Sequence, residues 1–445
     1  MKKILILAYD YPPYVSIGAL RPFYWYKHFK KYDLYPIIIT RQWGENNTDL
    51  NHTNPNFSKK TIYTKSEFGL TIKTPYSPDF VDKLRFKFGD KNFLFFRKLI
   101  TLIKVIFQFV FVIGNQKNIY IEARKYLKQN NVDFILATGE PFVLFHYANK
   151  LSKEYNVPWG GDYRDPWILN RYFVNPLLRI LLGYIEKKLL KKINLITTVS
   201  EFMSKGIEAN LKTNVPIKII PNGFDNEIRS ELKEIKQNDK ILTIAYAGTI
   251  YPYHPVESFF DVLEHCKQND KTFHFNLIFY GINKQEQISL LIEEKYPNLK
   301  QNINFVPKLS YQNLLKKISE ANALLLFNEY SFLGTKIYDY LAVNRLIIHC
   351  FKNDPKSILI RKKHFPVIEN QNTSSELQEN LIKFTKAGVS ISDQKEMKRF
   401  LIDLNKKFSK NKRININSKN VELFSRKSQS KNLANEIKSI INLKK

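Results

Sequence analysis

Cysteine is nearly missing: two in 445 residues, Cys266 and Cys350, and neither stands in a C-x-x-C or similar ligand spacing. No disulfide framework is readable, and a reducing compartment is the simpler setting. Acids are also scarce, 41 Asp+Glu against 70 Lys+Arg, for a formal charge of +29. Such an imbalance suits an anionic partner (nucleic acid, anionic lipid or a phosphorylated substrate), or it is drift in a chain rich in Lys, Asn and Ile. The excess is concentrated. Residues 83–128 hold eleven Lys/Arg and two acids, and residues 395–445 hold fifteen and four. No zinc-ligand set or RNP-type motif accompanies it, so nucleic acid is not an expected partner.

Long apolar runs are missing too. After Met1-Lys2-Lys3 the run ILILA is five residues long, short of the roughly 7–15 of a secretory signal, and it reads as a buried strand. The most membrane-like segment, residues 99–113 (LITLIKVIFQFVFVI), is interrupted by Lys104. It falls short of the about 20 apolar residues a span needs, so no transmembrane helix is expected. With 44% hydrophobic and 25% charged residues the composition is that of a globular protein. The length suggests two or three domains at roughly 100–200 residues each.

What is present is alternation. Short apolar runs at 4–8, 36–40, 134–138, 158–162 and 195–199 alternate with helical patterns, as in βαβ units on a parallel sheet. Ser200 is placed to cap a helix over 201–211. The alternation restarts with runs at 241–248, 275–281, 303–306, 323–327 and 346–350. Two doubly wound domains follow, and ligands in such sheets bind at the carboxyl ends of strands. Residues 41–80 read as a polar loop or small insertion. Residues 370–420 carry no clear assignment, and residues 421–443 read as a helix.

Five segments carry chemistry-bearing residues where strands end. In YDYPPYVSIGALRP (9–22) a Pro-rich loop leads to Gly18 and a helix with Arg21 in its first turn. Glycine admits close backbone approach and a helix start favours anions. The segment is neither a G-x-G-x-x-G fingerprint nor a P-loop, and a plain tight turn reads it as well. In GDYRDPW (161–167) Asp162 and Asp165 flank Arg164, placed to bind hydroxyls and a phosphate, or else to form an ion-paired loop. IIPNGFD (219–225) is turn chemistry. In AYAGTIYPY (245–253) Gly248-Thr249 follows a strand, where amides receive phosphates. In FLGTKIYDYLAVNRLII (332–348) Gly334-Thr335-Lys336 opens a helix bearing Asp339. Lys336 suits a diphosphate and Asp339 ribose hydroxyls, although Ile337, Tyr340 and Leu341 equally make a capped core helix.

The order of these segments resembles the GT-B glycosyltransferases of family 4: PP…G, TVSE (198–201), IPNGFD, AGT (247–249) and GTKIYDYLA (334–342). DYRDPW looks like a subgroup linked to bacterial surface polysaccharides. The resemblance implies two Rossmann-like domains facing a central cleft: an acceptor-binding domain over 1–208, a nucleotide-sugar-binding domain over 209–420, and a final helix in 421–445 crossing back onto the first. It implies retaining transfer from a UDP- or GDP-linked sugar to a glycan or lipid-linked acceptor, with no cofactor and no metal. No D-x-D motif stands out as a metal site. Asp162, Asp165 and Lys336 are the expected catalytic residues. Gly18, Arg164, Gly248, Thr249, Gly334, Thr335 and Asp339 are the expected donor-binding residues. The pattern departs from the family twice. Of two glutamates eight positions apart, the first falls on Ser331, with Glu329 a nearby substitute, and the second on Asp339. Asp162 stands where a histidine is common.

The basic, aromatic stretch 86–113 and the amphipathic 177–193 suit an anionic membrane surface, or else they are core helices with solvated basic faces. The expected setting is cytoplasmic, peripheral on the inner face of the plasma membrane. The competing readings are a GT-B-fold sugar-nucleotide epimerase, which would turn over donor without acceptor, and a basic nucleic-acid-binding protein.

Overall fold

The computed structural model describes residues 1–14, 16–43, 59–89, 91–168, 176–211, 215–330, 333–364 and 376–443. It divides into two compact units, Met1–Pro221 with Lys427–Lys445, and Asn222–Arg426.

The first unit contains β1 (Lys2–Leu7), α1 (Ile17–His28), β2 (Leu34–Arg41), β3 (Ile62–Lys65), β4 (Leu70–Thr74), α2 (Phe80–Phe88), α3 (Leu94–Phe107), α4 (Lys117–Gln129), β5 (Phe134–Gly139), α5 (Val143–Tyr155), β6 (Trp159–Tyr163), α6 (Pro176–Leu190), β7 (Leu195–Thr198), α7 (Glu201–Leu211) and β8 (Ile217–Ile219). Its eight strands run in the order β3-β4-β2-β1-β5-β6-β7-β8. All pair in parallel except β3 with β4. Ile4, Leu5, Ile6 and Leu7 are all buried because both faces of β1 are covered. Leu5 and Leu7 join the core with α4 and α5, and Ile4 and Ile6 join the opposite one with α1. Ser200 caps α7 by accepting from the Met203 amide at 3.3 Å.

The second unit contains α8 (Asn226–Leu232), β9 (Leu242–Ala247), α9 (Val256–Asn269), β10 (Phe275–Tyr280), α10 (Gln285–Lys295), β11 (Ile303–Val306), α11 (Tyr311–Ser319), β12 (Ala323–Phe327), α12 (Lys336–Val343), β13 (Leu346–Cys350), α13 (Pro355–His364), α14 (Leu377–Thr385), β14 (Gly388–Ser390) and α15 (Gln394–Asn411). Its sheet is parallel throughout, in the order β11-β10-β9-β12-β13-β14. Numbered within the unit that order is 3-2-1-4-5-6, and the first unit repeats it, with β8 added as a seventh strand, once the antiparallel edge strand β3 is set aside. In such sheets the strand order reverses beside the first strand, and the crevice there receives ligands. The reversal falls between β1 and β5 in one unit and between β9 and β12 in the other.

Several elements differ from the sequence expectation. The stretch 41–80 is not only loop: it supplies β4, whose Ile72 is buried, and β3, whose four residues are all exposed, so no apolar alternation marks it. The stretch 370–420 supplies α14, β14 and α15. In α15 the buried Met397, Leu401, Leu404 and Phe408 keep helical spacing, and Asp393 caps the start. The first unit runs on to Pro221, because β8 pairs with β7. The terminal helix α16 (Arg426–Leu443) begins later than residue 421, after a separate turn Val421–Phe424 and an extended Ser425. Leu433, Ala434, Ile437 and Ile441 pack it into the first unit, against Ile4, Phe134 and Leu195. In the second unit Phe224 accepts from the Arg426 amide at 2.8 Å. The glycine of PNGFD allows this approach: a Cβ on Gly223 would lie 2.4 Å from the Phe424 carbonyl oxygen. Among the described residues no helix is long and apolar enough to cross a membrane.

Candidate functional site

In the second unit the carboxyl end of β9 turns at Gly248, which adopts φ +89°, a conformation glycine takes without strain. Lys336, first residue of α12, reaches this turn. Its Cε would lie 3.7 Å from a Cβ placed on Gly248. Its Nζ donates to the Tyr246 hydroxyl at 2.6 Å and sits 3.9 Å from that ring's centroid. The Tyr246 hydroxyl donates in turn to the Thr249 carbonyl at 2.7 Å. Burial holds the Tyr246 phenol well above its usual range, so it is neutral. Burial also pushes the Lys336 ammonium down to about 8. His254 packs beside them, its ring 6.4 Å from that of Tyr246, and burial pushes its pKa well down, so it adds no positive charge.

Gly334 is crowded for a different reason. The buried Glu329 carboxylate accepts from the Gly334 amide at 3.1 Å, and a Cβ there would fall 2.3 Å from the same oxygen. Thr335 makes no side-chain cap, so its hydroxyl does not occupy the first amides of α12. One turn on, Asp339 accepts from the Tyr311 hydroxyl at 2.6 Å, and burial raises its carboxyl to about 6 despite the nearby charges of Arg426 and Lys336. Gly248, Thr249, Gly334, Thr335, Lys336 and Asp339 thus gather where β9 and β12 part. Ser331 lies outside the described residues.

In the first unit Gly18 and Arg164 meet so closely that a Cβ on Gly18 would fall 1.3 Å from an Arg164 nitrogen. Arg164 donates to Asp10 Oδ2 at 2.9 Å and to the Glu140 carbonyl at 3.0 Å, and lies 3.6 Å from Asp165. Two carboxylates, Asp10 and Asp165, therefore lie against one guanidinium, and the Glu140 carboxyl is within its electrostatic reach. Both residues are exposed, yet the protein packed around them desolvates them enough to raise the Glu140 carboxyl, with Asp165 adding to it, and to raise the Asp165 carboxyl against the pull of Arg164. This surplus of acid disfavours a phosphate at Arg164, contrary to the sequence expectation. It suits hydroxyls, which donate to carboxylates.

Asp162 needs a larger correction. It is fully buried, accepts two bonds from Arg21 at 3.0 and 2.6 Å, and accepts from the hydroxyls of Thr138 and Thr197 at 3.3 and 2.7 Å. Arg21 then donates to the Ile220 carbonyl at 2.9 Å. Asp162 thereby fixes the end of the first unit's chain and has no face left for a substrate. Arg21, near the start of α1, is likewise spent inside the fold.

Sequence reasoning passed over Asp10, Glu140, Tyr246, Tyr311 and Arg426. Asp10 and Glu140 follow β1 and β5 directly, so the strand-end rule applied to every strand finds them. Tyr246 lies within β9 and reads as core. Among the described residues no group of three or more His, Cys, Asp or Glu could hold a metal ion.

No protein-family model matches the chain, and no curated protein matches it by sequence. Solved structures do match along nearly its whole length. Sucrose-phosphate synthase from Thermosynechococcus elongatus superposes with a TM-score of 0.55 at 13% identity, over 100% of this chain and 96% of that one. The lipopolysaccharide outer core galactosyltransferase WaaB gives 0.50 at 12%, over 98% and 99%. A protein described as a UDP-N-acetylglucosamine 2-epimerase from Listeria monocytogenes gives 0.51 at 10%, over 98% and 96%. The fold is GT-B. At these identities the likeness carries no residue roles. The GT-B architecture hosts transferases and sugar-nucleotide enzymes of other kinds, so function has to be argued from the side chains.

Proposed function

We propose that the chain is a glycosyltransferase that binds a UDP- or GDP-linked sugar through its second unit and passes the sugar, with retention of configuration and without a metal, to a glycan or lipid-linked acceptor of a surface polysaccharide. The observation that carries this reading is Lys336, held beside the Gly248 turn at the switch point of a 3-2-1-4-5-6 sheet and bonded to a neutral phenol. A cation placed this way stabilises the diphosphate as negative charge builds on it during cleavage. The first amides of α12 add partial positive charge on the same side. Asp339 with Tyr311 offers acceptors to ribose hydroxyls. In the first unit Asp10, Glu140 and Asp165 would receive acceptor hydroxyls, and Arg164 keeps their mutual repulsion in check.

The test is a thermal-shift panel of nucleotides and nucleotide-sugars, followed by a product assay with the best donor. A melting shift with a UDP- or GDP-sugar, and sugar transfer only when acceptor is present, is the expected result. Conversion of the donor's sugar with no acceptor present would make the chain an epimerase instead.

A further inference from the structure

Helix α3 is anomalous for a globular protein: its sequence is LFFRKLITLIKVIF and none of its described side chains is buried. Phe95 is 75% exposed and Phe96 60%, and Leu99, Ile103 and Phe107 lie open beside them. In the segment that follows, Val110 and Phe111 are also exposed. Phe109 turns inward, its ring centroid 5.1 Å from that of Trp167 in a tilted arrangement, and Val105 and Val112 pack part-buried against the same core. Next to Trp167, Ile168 packs against Gly183 of α6, where a Cβ would lie 3.2 Å from it. Helix α6 in turn exposes Ile180 and Tyr184. The two apolar surfaces therefore hang on one ridge, Phe109–Trp167–Ile168, within the first unit. Contiguous exposed apolar surface of this kind marks an interaction site.

The charges of these helices say what covers it. Helix α3 has no acidic residue, and Asp79 caps α2 and pairs with Lys104. Asp82 accepts from the Tyr76 hydroxyl and the Asp79 amide. The one acid of α6, Glu186, is buried and accepts from Tyr163 and Asn210 at 2.7 and 2.8 Å. What remains outward is Lys83, Lys87, Lys98, Arg179, Lys187 and Lys188. We propose that this face docks on an anionic phospholipid bilayer, with Phe95 and Phe96 entering the interface and the lysines set against the headgroups. Protruding phenylalanines flanked by bases fit an interfacial helix. A second copy fits worse, because a two-fold contact would bring the same lysines together. The inference does not rest on the transferase reading.

The test is flotation of the full chain with phosphatidylcholine vesicles, with and without phosphatidylglycerol, at low and high salt. Binding confined to the phosphatidylglycerol vesicles and weakened by salt is expected. A Phe95→Ser/Phe96→Ser variant and a Lys87→Glu/Lys98→Glu variant should each partition about tenfold more weakly or worse. Both substitute exposed residues, so circular dichroism and the melting shift with nucleotide should stay as in the parent chain. Equal flotation with neutral vesicles, or undiminished flotation of both variants, overturns the proposal. So does a dimer in sedimentation that the phenylalanine variant dissolves while the parent chain ignores vesicles.

Discussion

The two units share one strand order and treat the cation at its switch point in opposite ways. In the first, Arg164 is bonded to a carboxylate and stands among Asp10, Glu140 and Asp165. In the second, Lys336 is bonded to the neutral hydroxyl of Tyr246, and burial lowers its pKa to about 8. The first cation contacts carboxylates directly, whereas Lys336 is bonded to a phenol and has Glu329 and Asp339 only as nearby charges. Topology alone would make the two sites equivalent ligand crevices. Side-chain electrostatics distinguish them, and on that difference rests the proposal of hydroxyls at the first and phosphate at the second.

A second contrast sits inside the first unit. Asp162 and Asp165 are three residues apart and look alike in sequence, yet one is fully buried and the other open. The largest expected effect tests this pair. Asp162→Asn strands the Arg21 guanidinium in the core, and breaking a buried pair this way costs about 3–5 kcal/mol. Thermal unfolding should fall by roughly 10 °C. Any lost activity should track the unfolded fraction, and an unchanged melting temperature with lost turnover would make Asp162 a substrate group after all.

Lys336 comes next. Lys336→Ala should leave a folded chain that has lost about 100–1000-fold in turnover, the usual consequence of removing one preorganised charge donor. The same site predicts a stability gain. The ammonium titrates near 8 in the folded chain and near 10.4 when unfolded. Between those values the unfolded chain holds more protons, so stability rises with pH across that window. Below it the buried charge costs on the order of 3 kcal/mol. Lys336→Met should therefore melt higher than the parent at pH 7, with the gap closing as pH rises from 8 towards 10. A Lys336→Met chain that melts lower at pH 7 would mean that the Tyr246 contact outweighs the desolvation.

How far these contrasts were legible in sequence depends on what each residue's neighbours are. The parallel strands and the restart of the βα pattern could be read, because β1, β5, β9 and β12 are continuous apolar runs covered on both faces. Gly248, Lys336 and Asp339 could be read because each closes a strand or opens a helix. Asp162 could not be told from Asp165: whether an acid at a strand end points into the core depends on Arg21, 141 residues away. Tyr246 was hidden for the opposite reason, a phenol inside a buried strand whose polar end matters. The exposure of α3 was only half legible, because residues 86–113 read equally as a membrane-facing surface and as core. Edge strand β3 had no pattern to read, since it buries no side chain.

Asp165 tests whether the two units divide the work as proposed. Asp165→Asn removes an exposed carboxylate beside Arg164 and should not change the melting temperature by more than a degree or two. Losing a charged acceptor for a substrate hydroxyl costs about tenfold or somewhat more in rate or acceptor KM. Nucleotide affinity, measured without acceptor, should stay unchanged. Equal damage to nucleotide binding would show that the acidic cluster serves the donor and would collapse the contrast between the two switch points.

The smallest effect is the pH dependence of nucleotide binding. Asp339 is raised to about 6 by burial, so it is largely protonated at pH 5 and ionised at pH 7. Only the ionised carboxylate offers all its lone pairs to ribose hydroxyls and to Tyr311. Affinity for a nucleotide-sugar should therefore rise as pH goes up through about 6, by a few-fold, since a hydrogen bond to a charged group is worth about 1.5 kcal/mol or more. A nucleotide-sugar is the right probe because its diphosphate is doubly esterified and does not itself titrate in this range. Lys336 stays protonated throughout, so it contributes no slope of its own. Calorimetric titrations at pH 5, 6 and 7 should show the rise in the parent chain and a flat profile in Asp339→Asn. The same inflection persisting in Asp339→Asn would place the titrating group elsewhere and leave Asp339 a partner of Tyr311 alone.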